Sequence, residues 1–269
     1  MNSCAVIVVN YNTGKLLSQV IERVLKAKGV DEIIIVDNDS TDNSMELLPK
    51  NNQINTYFRN KNEGFGSSCN YGAKKSTSEY LLFLNPDCLI LENTINQSIE
   101  TFAENNNTAI VGIRVNNPDG TEQRATRRRL PTLWRAIKTY TSLEKLSKYG
   151  DIFAGVNLSH KPMPTQAVLV EAVSGAYMMV KKSVFKQISG FDDSFFMHFE
   201  DLDLCKRVSD AGYDIVFNPK IEVVHYQGTS SQSNSNVSEY KKQSLQRYFR
   251  KHCSLFSYYA IKNLNRFLR

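Results

Sequence analysis

Short unbroken apolar runs alternate with stretches whose apolar residues recur every three or four positions through the first 115 residues. An unbroken run reads as a strand buried on both faces, since a half-exposed strand would alternate apolar with polar residues. Unbroken runs occupy residues 5–9 and 80–84, and β-rich segments at 32–36, 54–58 and 109–115 read as further strands. Helical spacing marks 14–28, where Leu17, Ile21, Val24 and Leu25 share a face, and also 64–75 and about 94–105, with a shorter helix expected at 41–48. Strands separated by helices predict a parallel sheet with crossover helices. After the turn signal Asn116-Asn117-Pro118-Asp119-Gly120 the rhythm changes: residues 121–168 read as an insertion, with one helix around 133–146 and a poorly patterned stretch to Pro164. Strands return at 168–173, 176–180, 213–217 and 222–225, interleaved with helices at 182–188 and about 200–211 that stop at Gly190 and Gly212. The Ser/Asn cluster at 229–238 reads as a hinge into a tail. The expected architecture is α/β: a Rossmann-like, mostly parallel central sheet with helices on both faces over residues 1–232, divided into halves 1–116 and 117–232, followed by a basic helical tail at 233–269.

Composition changes this picture only at the tail. Hydrophobic residues make up 41% of the 269 and charged residues 22%, which suits a globular chain with a substantial core. Cys4, Cys69, Cys88, Cys205 and Cys253 are odd in number and scattered without a Cys-x-x-Cys pair, so reduced thiols in a cytosolic compartment are expected. No stretch approaches the roughly 20 apolar residues that cross a bilayer, and nothing resembling a signal peptide precedes the first strand, so a soluble or peripheral protein is expected. The net charge of +6 divides into +7 on residues 236–269 and −1 on the rest, which implies an acidic partner for the tail. Leu245, Tyr248, Phe249, His252, Phe256 and Tyr259 fall near helical spacing among the basic residues. Such a stripe can pack on the body or lie as an interfacial helix on an anionic membrane surface.

Candidate chemistry collects at strand ends. The 80–84 run closes with Asn85-Pro86-Asp87, and because Pro86 cannot continue a central ladder, Asp87 falls just beyond the strand's carboxyl end, where open α/β sheets bind ligands. Asn-Pro-Asp is also ordinary turn chemistry. Asn10-Tyr11-Asn12 and Asp37-Asn38-Asp39-Ser40 follow the first two strands; each contains ordinary N-cap residues, and their weight comes from recurring at three successive strand ends. Asn62-Glu63-Gly64-Phe65-Gly66 does not complete G-x-G-x-x-G and no Walker lysine motif is present, which argues against a P-loop hydrolase.

In the second half, Glu200, Asp201 and Asp203 open a helix behind the aromatic run Phe195-Phe196-Met197-His198-Phe199. Acids suit a first helical turn, but three within four residues exceed what the helix dipole requires. Glu200, Asp203 and Arg207 share a face and are expected to form an ion pair, while Asp201 points elsewhere and suits a general base. His225 ends the last strand, where a neutral imidazole together with Asp87 could serve Mg²⁺ or Mn²⁺. Arg124, Arg127, Arg128 and Arg129, with the basic tail, admit a nucleic-acid reading. The near-neutral body and the carboxylates of the proposed cleft argue against it, and no nucleic acid is expected as a partner.

Val-Val-Asn-Tyr-Asn at 8–12, Val-Asp-Asn-Asp-Ser-Thr-Asp at 36–42, residues 62–72, Phe-Leu-Asn-Pro-Asp at 83–87, Ser-Gly-Ala at 174–176, Glu-Asp-Leu-Asp-Leu-Cys at 200–205, and His225 with Gly228 stand in an order that resembles the inverting glycosyltransferases of family 2, which have the GT-A fold. The resemblance spans about residues 3–232. It implies donor contacts from Asn10, Tyr11, Asn12, Asp37, Asp39, Asn62, Gly64, Gly66, Asn70 and Asn85, with Tyr11, Asp37 and Asp39 at the base and ribose. By the same resemblance Asp87 and His225 would hold the metal, Asp201 would be the catalytic base, and Gly175, Ala176 and Glu200 would lie on the acceptor side. One departure is visible: Asn85 stands where the family's Asp-x-Asp site has its first aspartate, and it brings no charge. Within the family the chain looks most like bacterial rhamnosyltransferases, which transfer L-rhamnose from dTDP-L-rhamnose to a lipid-linked saccharide in O-antigen or cell-wall polysaccharide assembly. A UDP-hexose donor is the alternative, and a cytoplasmic location, peripheral on the inner face of the plasma membrane, is the expectation.

Overall fold

The computed structural model describes residues 4–226 and 236–267. Strand β1 (Cys4–Asn10) is buried along its whole length. Its alternate residues face opposite ways: Val6 and Val8 enter one apolar cluster and Ala5, Ile7 and Val9 the other. Helix α1 (Lys15–Leu25) follows, then β2 (Val30–Asp37), β3 (Ile54–Phe58), α2 (Phe65–Lys75), β4 (Tyr80–Leu84), the short β5 (Cys88–Leu89), α3 (Thr94–Glu104) and β6 (Thr108–Asn116). The second half contributes β7 (Arg127–Arg128), α4 (Leu133–Tyr140), β8 (Val168–Leu169), β9 (Ala172–Val173), β10 (Tyr177–Lys181), α5 (Lys182–Gln187), α6 (Glu200–Asp210) and β11 (Asp214–His225). Two further helices, α7 (Val237–His252) and α8 (Leu255–Phe267), come last.

The main sheet runs β3-β2-β1-β4-β10-β6-β11-β5, with β8 also on β11. β3, β2, β1 and β4 are mutually parallel, as are β6 and β11, while β10 runs against both of its neighbours. Because β10 lies between β4 and β6, strands from both halves of the chain share one sheet. α1 and α3 cover one face, and α2, α5, α6 and α7 contribute to the cluster on the other. Cys4, Cys69, Cys88 and Cys205 are buried free thiols in these layers.

Several expected elements differ. Residues 41–48 form turns rather than a helix, because side chains capture the backbone: Asn12 Oδ1 accepts from the Thr41 and Asp42 amides, and Asp42 accepts from the Gly14 and Ser44 amides. The helix expected to reach residue 146 stops at Tyr140, beyond which Ser142 adopts φ 61° and 3₁₀ turns take over. Residues 168–173 divide between two sheets as β8 and β9. The strands expected at 213–217 and 222–225 are one strand, with its register shift between Asn218 and Glu222, where Pro219 offers no amide to the ladder.

The tail is not one amphipathic helix. The α7 helix buries Leu245, Tyr248 and Phe249 in the core, and Ser244 donates to the Met197 carbonyl at 2.9 Å. His252 and Lys251 both reach Asp203 Oδ1 at 2.7 Å, and Lys251 also pairs with Asp192. Only α8 turns apolar side chains outward, with Phe256 76% and Tyr259 57% exposed. Most of the expected 229–238 hinge lies outside the described residues.

Candidate active site

The carboxyl ends of β1, β2 and β4 open onto a cleft of about 1320 Å³, walled opposite by α4, α6 and α7. Asp87 and Asp201 both line it. Asp87 sits in the turn between β4 and β5, and the antiparallel pairing of β5 with β11 sets His225 opposite Cys88, so that His225 Nε2 lies 2.9 Å from Asp87 Oδ1. Gln123 orients the ring. Its amide nitrogen donates to the His225 carbonyl at 2.8 Å, which leaves its oxygen 2.9 Å from Nδ1. The proton therefore belongs on Nδ1, and in the neutral ring the Nε2 lone pair faces the Asp87 carboxylate, with the Asn85 amide 3.2 Å away. A proton on Nε2, or a cation beside the pair, satisfies two such atoms. A carboxylate oxygen and a neutral imidazole nitrogen fit Mg²⁺ or Mn²⁺ by type. Among the described residues no cluster of three or more His, Cys, Asp or Glu side chains could hold a metal alone, so the other ligands would come from donor diphosphate and water.

The opposite wall presents the start of α6. His198 and Phe199 both take positive φ, 66° and 68°, which turns the chain into the helix with Asp201 directed at the 174–176 turn. Asp201 Oδ2 accepts from Arg128 at 2.5 Å and from the Gly175 amide at 3.1 Å, and Oδ1 accepts from the Leu202 amide at 2.8 Å. A carboxylate has about four acceptor positions, so three donors fix its direction and leave room for one more. A Cβ at Gly175 would stand 3.3 Å from Oδ2, tight enough to disturb that contact. The two walls are joined through Gly64, whose φ of 88° belongs to glycine and whose Cβ would collide with the Phe196 carbonyl at 2.4 Å; the next amide, Phe65, donates to that same carbonyl.

The ion pair expected on this helix face forms at Asp203. Arg207 pairs with Asp203, not with Glu200, and Asp203 is fully buried among Arg207, Lys251 and His252. Glu200 is also buried, its Oε2 has no hydrogen-bond partner, and burial, followed by repulsion from Asp201, pushes its pKa up to about 8. At neutral pH it is a protonated acid beside an anionic one.

Of the expected site residues, Tyr11, Asn62, Gly64, Asn85, Asp87, Gly175, Ala176, Glu200, Asp201 and His225 line the cleft. Others have different work. Asn10 is buried and donates to Asp37, Ser40 and Ser44, and Asp37 also accepts from the Ser40 amide, so this pair braces the first two strand ends. Asn12 holds the 41–42 turn, and Asp39 is an exposed turn residue with φ 70°. Gly66 packs against Phe191, and Asn70 ties α2 to Phe191 and Asp193 rather than reaching the cleft. Missed were Gln123, Asn38, Arg128 and Lys241, all of which line it. Asn38 bridges to Asn62 at 2.7 Å and to Ser68 at 2.9 Å. The arginine cluster had been visible but read as one patch. In the structure Arg124 pairs with Glu144, Arg127 with Glu122 and Arg128 with Asp201, so no open cationic stripe for a polyanion is assembled there.

Metal-compatible groups at the strand ends of an open sheet, facing a carboxylate on a helix start, define a GT-A-type glycosyltransferase. The fold agrees: UDP-, GalNAc- and Mn²⁺-bound GalNAc-T7 superposes with a TM-score of 0.67 at 16% identity over 92% of this chain, and a Pyrobaculum calidifontis mannosyltransferase with GDP-Man and Mn²⁺ with 0.62 at 15%. The chain spans 47% and 63% of those two chains. The model of glycosyl transferase family 2 matches residues 5–188, and the chain belongs to that family. Relatives include the low-salt glycan biosynthesis hexosyltransferase Agl10 of Haloferax volcanii, 26% identical over 84% of this chain and 68% of its own. The N-acetylglucosaminyl-diphospho-decaprenol L-rhamnosyltransferase of Mycobacterium tuberculosis is 22% identical over 84% and 76%, and the rhamnosyltransferase WbbL of Escherichia coli K12 is 24% identical over 61% of each chain.

Proposed function

We propose that this glycosyltransferase moves a sugar with inversion, L-rhamnose from dTDP-L-rhamnose, onto a hydroxyl of a lipid-linked saccharide in bacterial surface-polysaccharide assembly. The observation that carries the reading is the position of Asp201, a three-donor carboxylate across one cleft from Asp87 and His225. Asp201 takes the proton of the acceptor hydroxyl, whose oxygen attacks the anomeric carbon on the side opposite the diphosphate. As the new C–O bond forms, the bond to the diphosphate breaks and the electron pair leaves with the phosphate oxygen. Asp87 and His225 would hold a divalent ion, which when bound supplies positive charge for the leaving diphosphate. Tyr11, Asn38 and Asn62 line the donor side, where a nucleotide base and ribose would rest.

Two rhamnosyltransferases among the relatives support the donor, and a hexosyltransferase supports the UDP-hexose alternative. A panel of dTDP- and UDP-sugars with Mn²⁺ or Mg²⁺, read by thermal shift and by transfer, decides between them. Asp201→Asn should cost about 10²–10⁴-fold in turnover while retaining donor binding. Turnover near that of the unaltered enzyme in a folded variant removes Asp201 from the role.

A peripheral membrane location follows the acceptor. Among the described residues no helix is long and apolar enough to cross a bilayer. The surface that supports docking is α8, where Leu255, Phe256 and Tyr259 are exposed on a segment of net positive charge. Binding to anionic liposomes should fall when Phe256 and Tyr259 are both changed to serine, and binding unaltered by that change refutes the placement.

A further inference from the structure

The acceptor half of the cleft holds a cation that the reaction above does not use. Lys241, the fifth residue of α7, is exposed and lines the cleft, and no acid pairs with it among the described residues. Arg124 lies near enough for repulsion, after desolvation, to lower the Lys241 pKa, and Lys241 and Arg128 in turn act on His198. His198 is a neutral ring, its pKa lowered to about 4 chiefly by burial, and its buried Nε2 has no hydrogen-bond partner. The other charges nearby close into pairs, Arg124 with Glu144 and Arg128 with Asp201, and Glu200 is protonated at neutral pH, which leaves Lys241 as the charge without a partner among these groups. An accessible ammonium on a cleft wall, with no carboxylate to neutralise it, attracts an anionic group of the ligand. The wall beside Lys241 is apolar, formed by Ala136, Tyr140, Val156 and Leu245.

We propose that Lys241, with Arg124 facing it and His198 as a neutral polar neighbour, forms a subsite for the phosphate group of a polyisoprenoid-phosphate-linked acceptor, the first isoprene units lying on the adjoining apolar wall. The subsite rests on the lipid-linked acceptor reading and names the group by which that acceptor is held. It places the phosphate on the side of the cleft opposite Asp87 and His225, so an acceptor phosphate and a donor diphosphate occupy separate positions.

The test is calorimetric binding of farnesyl diphosphate to the full chain in EDTA, so that no divalent ion supports binding at the donor side. Lys241→Met should raise its Kd at least tenfold, and Lys241→Arg should leave it within about threefold. Farnesol should bind more weakly and be indifferent to either change. An unchanged Kd in Lys241→Met, or no binding of farnesyl diphosphate at all, overturns the subsite. Inorganic diphosphate binding as tightly as farnesyl diphosphate overturns its lipid component. Binding of dTDP with Mn²⁺, equal in the variant and the unaltered chain, serves as the folding control. The outcomes separate from the function itself: a chain that binds farnesyl diphosphate through Lys241 yet transfers no sugar refutes the reaction, whereas transfer to a diphosphate-linked acceptor with KM unchanged in Lys241→Met refutes the subsite alone.

Discussion

The protonated state of Glu200 can be measured as a stability. In the folded chain its carboxyl titrates near 8, against 4.5 for the unperturbed group. Between those values the folded state keeps a proton that the unfolded chain has released, so unfolding becomes easier as pH rises. Below about pH 4.5 both states are protonated and Glu200 has no effect; above about 8 both are ionised and its cost is complete. At pH 7 the gap of two to three units corresponds to about 3 kcal/mol of stability lost to keeping the acid neutral. Glu200→Gln removes the titration while preserving shape. An uncharged amide at a buried site with an unpartnered Oε2 takes back part of the gain, so the net stabilisation at pH 7 should be about 1–3 kcal/mol. Urea unfolding of both proteins at pH 5, 7 and 8.5 checks this. The difference should be small at pH 5 and grow with pH. Parallel stability curves across that range, or a less stable variant at pH 8.5, refute the reasoning. Activity supplies a second readout: if ionised Glu200 disturbs Asp201, kcat of the unaltered enzyme should change as pH passes 8 and that of the variant should not.

Two other changes probe the site's supports. Gln123→Leu removes the group that orients His225, and the divalent-ion concentration for half-maximal activity should rise about 10–100-fold; an unchanged requirement separates His225 from the metal. Asp203→Asn strips the charge that Arg207, Lys251 and His252 share, so the melting temperature should fall by an amount equivalent to about 3 kcal/mol, with early proteolytic release of α7; an unshifted transition shows that packing alone holds the helix.

The donor side was legible because its signals are local. Residues 5–9, 32–36 and 80–84 are near-continuous apolar runs, which only strands covered on both faces require, and the polar residues that follow each run stand at the sheet's carboxyl edge without further folding information. What failed depends on partners remote in sequence. Asp203 stands four residues before Arg207 and takes that ion pair as helix spacing allows, but its further partners Lys251 and His252 are not predictable from helix geometry. Arg128 looked like one member of a basic run; its bond to Asp201 crosses 73 positions. Asn70 and Asn10 matched the family order, yet their amides are consumed in bracing loops, a role indistinguishable from ligand binding in a string of letters.

The largest revision concerns the C-terminal segment, whose composition pointed outward while most of its apolar stripe points in. Leu245, Tyr248 and Phe249 are as buried as the sheet, and Asp203 ties the end of α7 to α6, the helix that carries Asp201. The α7 helix also closes one wall of the cleft through Lys241 and Leu245 and supports the 195–199 loop through the Phe196–Tyr240 ring contact. Removing residues 236–269 would therefore expose core and open the acceptor side at once. A truncation that abolishes membrane binding together with activity cannot be assigned to the membrane, whereas serine substitutions at Phe256 and Tyr259 can, because those two side chains are largely exposed on α8.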